Sequence, residues 1–167
     1  GKADFHYPDA VHLPGLHEPE PPDAESLARA AELVDKAERP LILAGAGVMR
    51  SGASLALREL AEKTGTPVAL TLLGIGGFPQ SHPLCLGMMG MHGEAFVNTA
   101  IQHADLLLAF GMRFDDRVTG NIKTYALHAK KIHVEIDPSE VGKNVKVDVA
   151  LVSDLRVALE ALTPAVK

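Results

Sequence analysis

Five consecutive apolar residues, Leu106 to Phe110, run directly into Gly111 and a loop carrying Arg113, Asp115, Asp116 and Arg117. A strand that is apolar at every position has no solvated side, so it must be covered on both faces. That requirement points to the middle of a parallel sheet flanked by helices. Further strand patterns recur at Leu41 to Ala44, Val68 to Leu72, Leu84 to Leu86, Ile132 to Ile136 and Val145 to Val149. Helical patterns lie between them. Leu27, Ala30, Ala31 and Val34 fall at i, i+3, i+4 and i+7 behind a capping Asp23. A second helix is expected from about Ser51, ended by Gly65 and Pro67; a third opens at Gly93 and runs through Ala104. Ser153 is expected to cap a closing helix with Leu155, Ala158, Leu159 and Leu162 on one face. The alternation predicts a three-layer α/β fold, a Rossmann-like parallel sheet of about six strands with helices on both faces.

The amino-terminal stretch differs. Pro8, Pro14, Pro19, Pro21 and Pro22 crowd it, each fixing its own φ and pushing the residue before it toward extended backbone. Residues 1–22 therefore read as an extended arm or inter-domain linker, and residues 23–167 as the folded domain. Such an arm is expected where another domain precedes it.

Composition excludes several function classes. A net charge of −5, with Lys130-Lys131 as the only adjacent basic pair, argues against a nucleic-acid partner. No apolar run reaches the roughly 18 residues of a membrane span, and no secretory segment opens the chain. The single cysteine, Cys85, has no internal disulfide partner and lies between Leu84 and Leu86, where a buried apolar role is expected. The expected compartment is the cytoplasm.

Parallel sheets of this type bind ligands beyond the carboxyl ends of their strands, so the strand-end loops are where function is sought. The first reads Gly45-Ala46-Gly47-Val48-Met49-Arg50. Two glycines allow close backbone approach to a ligand, but Arg50 stands where the nicotinamide-binding fingerprint needs a third glycine. The second strand ends in Thr71-Leu72-Leu73-Gly74, without the acid that would hold an adenosine ribose. Both departures count against an NAD-dependent enzyme. Alone, the glycine loop serves equally as a ligand cradle or a tight turn.

The third loop is Gly87-Met88-Met89-Gly90-Met91-His92-Gly93. Soft thioethers among glycines suit a large planar ligand, since methionine sulfur meets aromatic rings favourably by roughly 0.3–1.5 kcal/mol. The competing use is a loop whose methionines fill gaps in a neighbouring domain. In the fourth loop, Arg113 or Arg117 can grip a pyrophosphate through the guanidinium fork, with Asp115 and Asp116 orienting them. The bland reading is a solvated ion-pair cluster of little energetic value. The paired aspartates do not make a metal site, because no histidine or further carboxylate stands nearby in sequence to complete one. In the fifth loop Glu135 can accept from ribose hydroxyls, and Asp154 can serve an adenine amino group or simply begin a helix.

Taken in order, Gly45-Ala46-Gly47-Val48, Thr71-Leu72-Leu73-Gly74, Gly87 to Gly93, Arg113-Phe114-Asp115-Asp116-Arg117-Val118-Thr119-Gly120 and Glu135-Ile136-Asp137-Pro138 resemble the central domain of acetolactate synthases, members of the thiamine-diphosphate enzymes. The resemblance covers roughly residues 23–163, and the Pro-rich arm resembles the family's linker. It implies that the whole enzyme joins two pyruvates, or pyruvate and 2-oxobutyrate, with loss of carbon dioxide, opening branched-chain amino-acid biosynthesis. It implies FAD bound in extended form without a net redox role. By matched motif the flavin contacts would be Gly45, Gly47, Thr71, Leu72, Met91, His92, Gly111, Arg113, Arg117, Val118, Glu135, Ile136 and Asp154. Asp116 and Arg117 resemble positions along the channel to the active centre, where the family's herbicide inhibitors lodge.

Thiamine diphosphate and Mg²⁺ belong, by the same resemblance, to amino- and carboxyl-terminal domains. No Gly-Asp-Gly followed by a metal-ligating Asn occurs in this sequence. The chain by itself is therefore expected to have no catalytic residues, no metal and no synthase activity. The expected partners are those two domains, a homo-oligomer and a regulatory small subunit. The alternative expectation is a purely structural middle domain with no bound nucleotide.

Overall fold

The computed structural model describes Asp4 and residues 20–167. Most of the arm read over Gly1 to Pro22 thus lies outside the described residues. Its last three, 20–22, form neither helix nor strand; Pro22 is buried, and the Glu20 carbonyl accepts from Ser153 Oγ at 2.5 Å.

Helix α1 spans Ala24–Lys36 and begins as its sequence predicts, with Asp23 Oδ1 accepting from Ser26 N at 2.8 Å. Strand β1 (Pro40–Ala44) follows, then a short helix α2 (Gly47–Arg50), helix α3 (Ser54–Thr64) and strand β2 (Val68–Leu70). The helix expected from about Ser51 is α3, starting three residues later, and the glycine loop before it holds a short helix, α2, that the sequence did not show. Gly52 takes φ +67°, which breaks the helical run between them. Strand β3 is Cys85–Met88, helix α4 Ala95–His103 and strand β4 Leu106–Phe110, the last ending where the apolar run ends. Helix α5 (Asp116–Thr119), strands β5 (Lys130–Glu135) and β6 (Val149–Val152), and helix α6 (Leu155–Ala165) complete the chain.

All six strands are parallel in the order β3-β2-β1-β4-β5-β6. The chain winds outward from β1 to β3, returns to β4 beside β1, and winds outward again. The two halves therefore diverge at β1 and β4, the topological switch where open α/β sheets place their ligands.

Every side chain of β4 is buried. Leu106, Leu108 and Phe110 pack with α1, α3 and α6 on one face, while Leu107 and Ala109 pack with α4 on the other. The two faces are unequal. Three long helices cover the first, whereas the second is closed by α4 together with Met112, Phe114, Tyr125, Ala126, Ala129 and Val145 from irregular segments. Edge strand β3 is only half-buried, and Cys85 with it. The buried role expected for that residue is met only in part: Cys85 packs against the first core cluster, but its strand is the last of the sheet among the described residues.

Two boundaries differ from expectation in informative ways. The last strand was expected at Val145 to Val149 but pairs over Val149–Val152. Ahead of it Asp148 stands against β5, where its Oδ2 accepts from Lys131 N and its own N–H donates to Lys131 O. The cap of α6 is Asp154 rather than Ser153: Asp154 Oδ1 accepts from Arg156 N at 2.9 Å and Val157 N at 3.3 Å. Among the described residues no helix is long and apolar enough to cross a membrane.

Candidate functional site

The loops after β1 and β4 meet before they diverge. Gly45 N donates to Phe110 O and Gly47 N to Gly111 O, both at 2.9 Å. Their contact is so close that no side chain fits at either glycine. A Cβ on Gly45 would overlap Gly111 O and Met112 Cβ, and one on Gly47 would stand 2.5 Å from Gly111 Cα. Gly111 itself takes φ +56°. Glycine in these loops thus serves both the chain crossing and the open backbone above it.

Above the crossing lies a cavity of about 870 Å³, near the upper end of the range for small-molecule sites. It draws residues from the carboxyl ends of all six strands, five inter-strand gaps of ~4.8 Å, or about 24 Å across. A groove of that length suits an extended ligand. Gly45, Gly47, Thr71, Leu72, Met91, His92, Gly111, Arg113, Arg117, Val118, Glu135, Ile136 and Asp154 all line it. A second cavity, about 680 Å³, opens at the opposite end of the sheet among Arg39, Lys63, His103 and Lys167 and contains none of these residues.

The charged residues of the groove come from four strand ends. Arg113, Asp115 and Arg117 come from the loop after β4, Arg117 reaching Met91 Sδ, and Arg50 joins them from the end of α2. Arg50 was legible in sequence only as the residue breaking a fingerprint; the four-residue helix brings it to the same wall. At the β5 and β6 end stand Glu135 and Asp154. Each is preset by its own backbone: Glu135 Oε1 accepts from Ile136 N at 2.9 Å, and Asp154 Oδ1 caps α6. Their second carboxylate oxygens make no hydrogen bond among the described residues. Met88, Met89, Met91 and His92 form the β3 end.

Asp115 and Asp116 stand beside the arginines as expected, but as long ion pairs rather than hydrogen-bonded ones. Arg113 Nη2 is 3.8 Å from Asp115 Oδ2 and Arg117 Nε is 4.0 Å from Asp116 Oδ1, too long for hydrogen bonds. Asp115 instead caps α5 by accepting from Arg117 N at 3.1 Å and Val118 N at 3.3 Å. Both guanidinium groups remain mostly exposed, and the one further side-chain contact among the described residues is Arg117 Nη1 to Met91 Sδ at 3.7 Å, so both can turn to an anion. Among the described residues there is no cluster of three or more His, Cys, Asp or Glu side chains for a metal.

Behind the arginine loop, His133 on β5 is wholly buried, its Nε2 hydrogen-bonded to Met112 O at 2.8 Å and its ring edge-on to Phe114. Nδ1 has no partner among the described residues. Burial holds the imidazole below its ordinary pKa of 6.5, opposed only in part by the Met112 carbonyl and by Glu135 and Glu140. The folded chain thus refuses a proton that the unfolded chain accepts as pH falls below about 6.5. Stability contributed by neutral His133 is complete above that pH and is lost as pH falls toward the lower folded value. His133→Gln keeps an amide donor for Met112 and removes the titration. Urea midpoints measured between pH 7.5 and 5.5, as an approximate window, should fall more steeply for the parent than for the variant. Parallel slopes would count against a titrating His133.

Comparison with known proteins agrees with this architecture. The family described as thiamine pyrophosphate enzyme, central domain, matches residues 27–162. Acetolactate synthase from Mycobacterium avium is 46% identical over 162 residues, covering 97% of this chain and 26% of the relative. A sequence from Methanocaldococcus jannaschii described as a probable acetolactate synthase large subunit is 48% identical over 158 residues, covering 95% and 27%. The chain thus spans about a quarter of the length of the curated relatives it matches. In three dimensions it matches the X-ray structure of an enzyme from Mycobacterium smegmatis assigned as thiamin diphosphate-dependent. The TM-score is 0.77 at 31% identity, covering 96% of this chain and 31% of the other. With the fold, the strand-end cavity and these matches in agreement, the chain belongs to the family of thiamine pyrophosphate enzyme central domains.

Proposed function

We propose that this chain binds FAD across the carboxyl ends of its sheet and serves as the flavin-binding central domain of an acetolactate synthase. The observation that carries the reading is the convergence of thirteen motif residues from six separate loops on one groove. The chemistry along that groove follows the order of parts in a flavin dinucleotide. Glu135 and Asp154 offer acceptors suited to ribose hydroxyls and an adenine amino group. Arg113 and Arg117, with Arg50, would hold the pyrophosphate by charge-assisted hydrogen bonds. Gly45, Gly47 and Gly111 leave backbone exposed beneath it. Met91 and His92, with Thr71, Leu72 and Val118 on the walls, would hold the remainder, the thioether against the planar ring system, while Ile136 would line the adenosine end beside Glu135.

FAD bound in this groove would supply structure rather than redox chemistry. In the whole enzyme, thiamine diphosphate and Mg²⁺ would be held by amino- and carboxyl-terminal domains outside this chain. There the condensation of two pyruvates, or of pyruvate with 2-oxobutyrate, would proceed with loss of carbon dioxide for branched-chain amino-acid synthesis. A homo-oligomer, a regulatory small subunit and a cytoplasmic location complete the reading. This chain's own residues bind and orient; none is assigned a proton or a reacting atom, so it should lack synthase activity alone.

The test is retention of flavin. The purified chain, incubated with FAD and freed of excess by gel filtration, should carry flavin absorbance in proportion to protein. NAD at equal concentration should not displace it. No retained flavin even from millimolar FAD would sink the reading in favour of a structural middle domain without nucleotide.

A further inference from the structure

We propose that Asn98, which does not line the groove, is the positioning residue that sets its methionine wall and fixes that wall to the arginine loop; the inference rests on the FAD reading above. Asn98 lies on the second turn of α4, where an isolated polar side chain has no evident sequence role. Its amide pairs with one residue, bonding the peptide groups on both sides of it. Oδ1 accepts from Gly90 N and Nδ2 donates to Gly90 O, both at 2.9 Å, so the side chain satisfies Gly90 as a neighbouring strand would.

That pairing comes where sheet pairing stops. The Met89 N–H still donates to Leu70 O, and Asn98 takes over at Gly90. Gly90 takes φ +94°, and a Cβ there would stand 2.6 Å from Arg117 O. The next peptide, Met91 N, donates to that same Arg117 O at 2.8 Å. Gly93 N then returns to Gly90 O at 2.9 Å, closing the turn that presents Met91 and His92. One side chain thus fixes the turn and, through Met91 N, the register between it and the loop bearing Arg117. Met91 Sδ also lies 3.7 Å from Arg117 Nη1.

Buried glycine peptides without such a partner would turn to water, leaving the Met91–His92 turn free to move while the sheet stays intact. The consequence is selective. Loss of Asn98 should weaken a ligand that reaches the methionine wall and spare one confined to Glu135 and Asp154.

FAD and AMP make the comparison, with AMP binding followed by NMR titration. Asn98→Asp keeps the size and the acceptor for Gly90 N but sets a carboxylate oxygen against Gly90 O, and should weaken FAD about tenfold, from one lost hydrogen bond and the oxygen–oxygen repulsion that replaces it. AMP binding should change less than about twofold. Asn98→Ala, which removes both bonds without adding charge, should give the same ordering. Amide exchange at Gly90 and Met91 should accelerate in both variants while that of Ile42 and Leu108 is unchanged. Equal losses for FAD and AMP, or no loss for either, would overturn the positioning role. Failure of the parent chain to bind FAD would overturn the reading beneath it, and the positioning role with it.

Discussion

Replacing Gly45 with alanine is expected to be among the most destabilising single changes available to this chain, although it adds one methyl group. The new Cβ would overlap Gly111 O and Met112 Cβ and stand 2.8 Å from Met112 Cα. None of these atoms can swing aside like the end of a long side chain. The backbone around Gly111 is held from two sides, with Gly45 N on Phe110 O and Gly111 N on Val134 O. Relief therefore requires moving the carboxyl end of the central strand. Overpacking of this kind costs typically 1–3 kcal/mol and more where backbone must shift, so about 3 kcal/mol or more is expected in urea unfolding. Alanine's smaller unfolded-state entropy returns at most about 1 kcal/mol. Gly142→Ala is the comparison: its φ of +69° is strained for alanine, but nothing lies within 4 Å of the added carbon. It should cost about 1–2 kcal/mol, the left-handed penalty alone. If Gly45→Ala proved no worse than Gly142→Ala, the tight crossing of the β1 and β4 loops would be wrong.

The second large effect concerns binding rather than stability. Arg113 and Arg117 are mostly exposed and their nearest carboxylates stand at 3.8 and 4.0 Å, so neither contributes appreciably to the fold. Both line the groove, and in the proposed reading they would meet the pyrophosphate of FAD. Arg113→Ala and Arg117→Ala should each weaken FAD by about 10- to 100-fold, the range for a charge-assisted hydrogen bond left unmade. The double variant should weaken it by at least about 100-fold. Thermal midpoints should stay at the parent value in all three. Lysine substitutions should give intermediate losses, because an ammonium keeps the charge and loses the fork. Isothermal titration of the four proteins decides the matter: unchanged FAD affinity in the double variant would remove the arginine loop from the site.

How far such features can be read without coordinates varies along the chain. Strand β4 was legible to its last residue, since five apolar positions bounded by Asp105 and Gly111 admit one assignment. Helix α1 was equally plain, because its cap and its buried face are local. The closing strand was misread by four residues for a physical reason. Val145 is indeed buried, but in the second core cluster and outside the sheet, and periodicity reports burial without naming the partner. The thirteen site residues were read from strand-end motifs and a family likeness. Arg50 and Asn98 were not. The first was judged only against a fingerprint, and the second touches the groove through another residue's backbone.

By itself the sequence determined the kinds of element, the depth at which β4 lies, and the residue types at each strand end. Those are properties of neighbouring positions, set by periodicity, caps and the conformational range of glycine. Only the tertiary structure decided that β1 lies between β2 and β4, that Gly45 and Gly47 rest on Gly111, and that Asn98 holds Gly90. The β1–β4 pairing and the crossing join positions more than sixty residues apart in a chain of 167, and no local pattern encodes which distant backbone a glycine must admit. The clamp is nearer in sequence, eight residues, yet it joins a helix to the loop before it through a turn whose shape depends on Arg117 across the groove. The run of apolar residues that compels a buried strand ends at Gly111, and it is that strand's packed neighbours that turn its end into a groove.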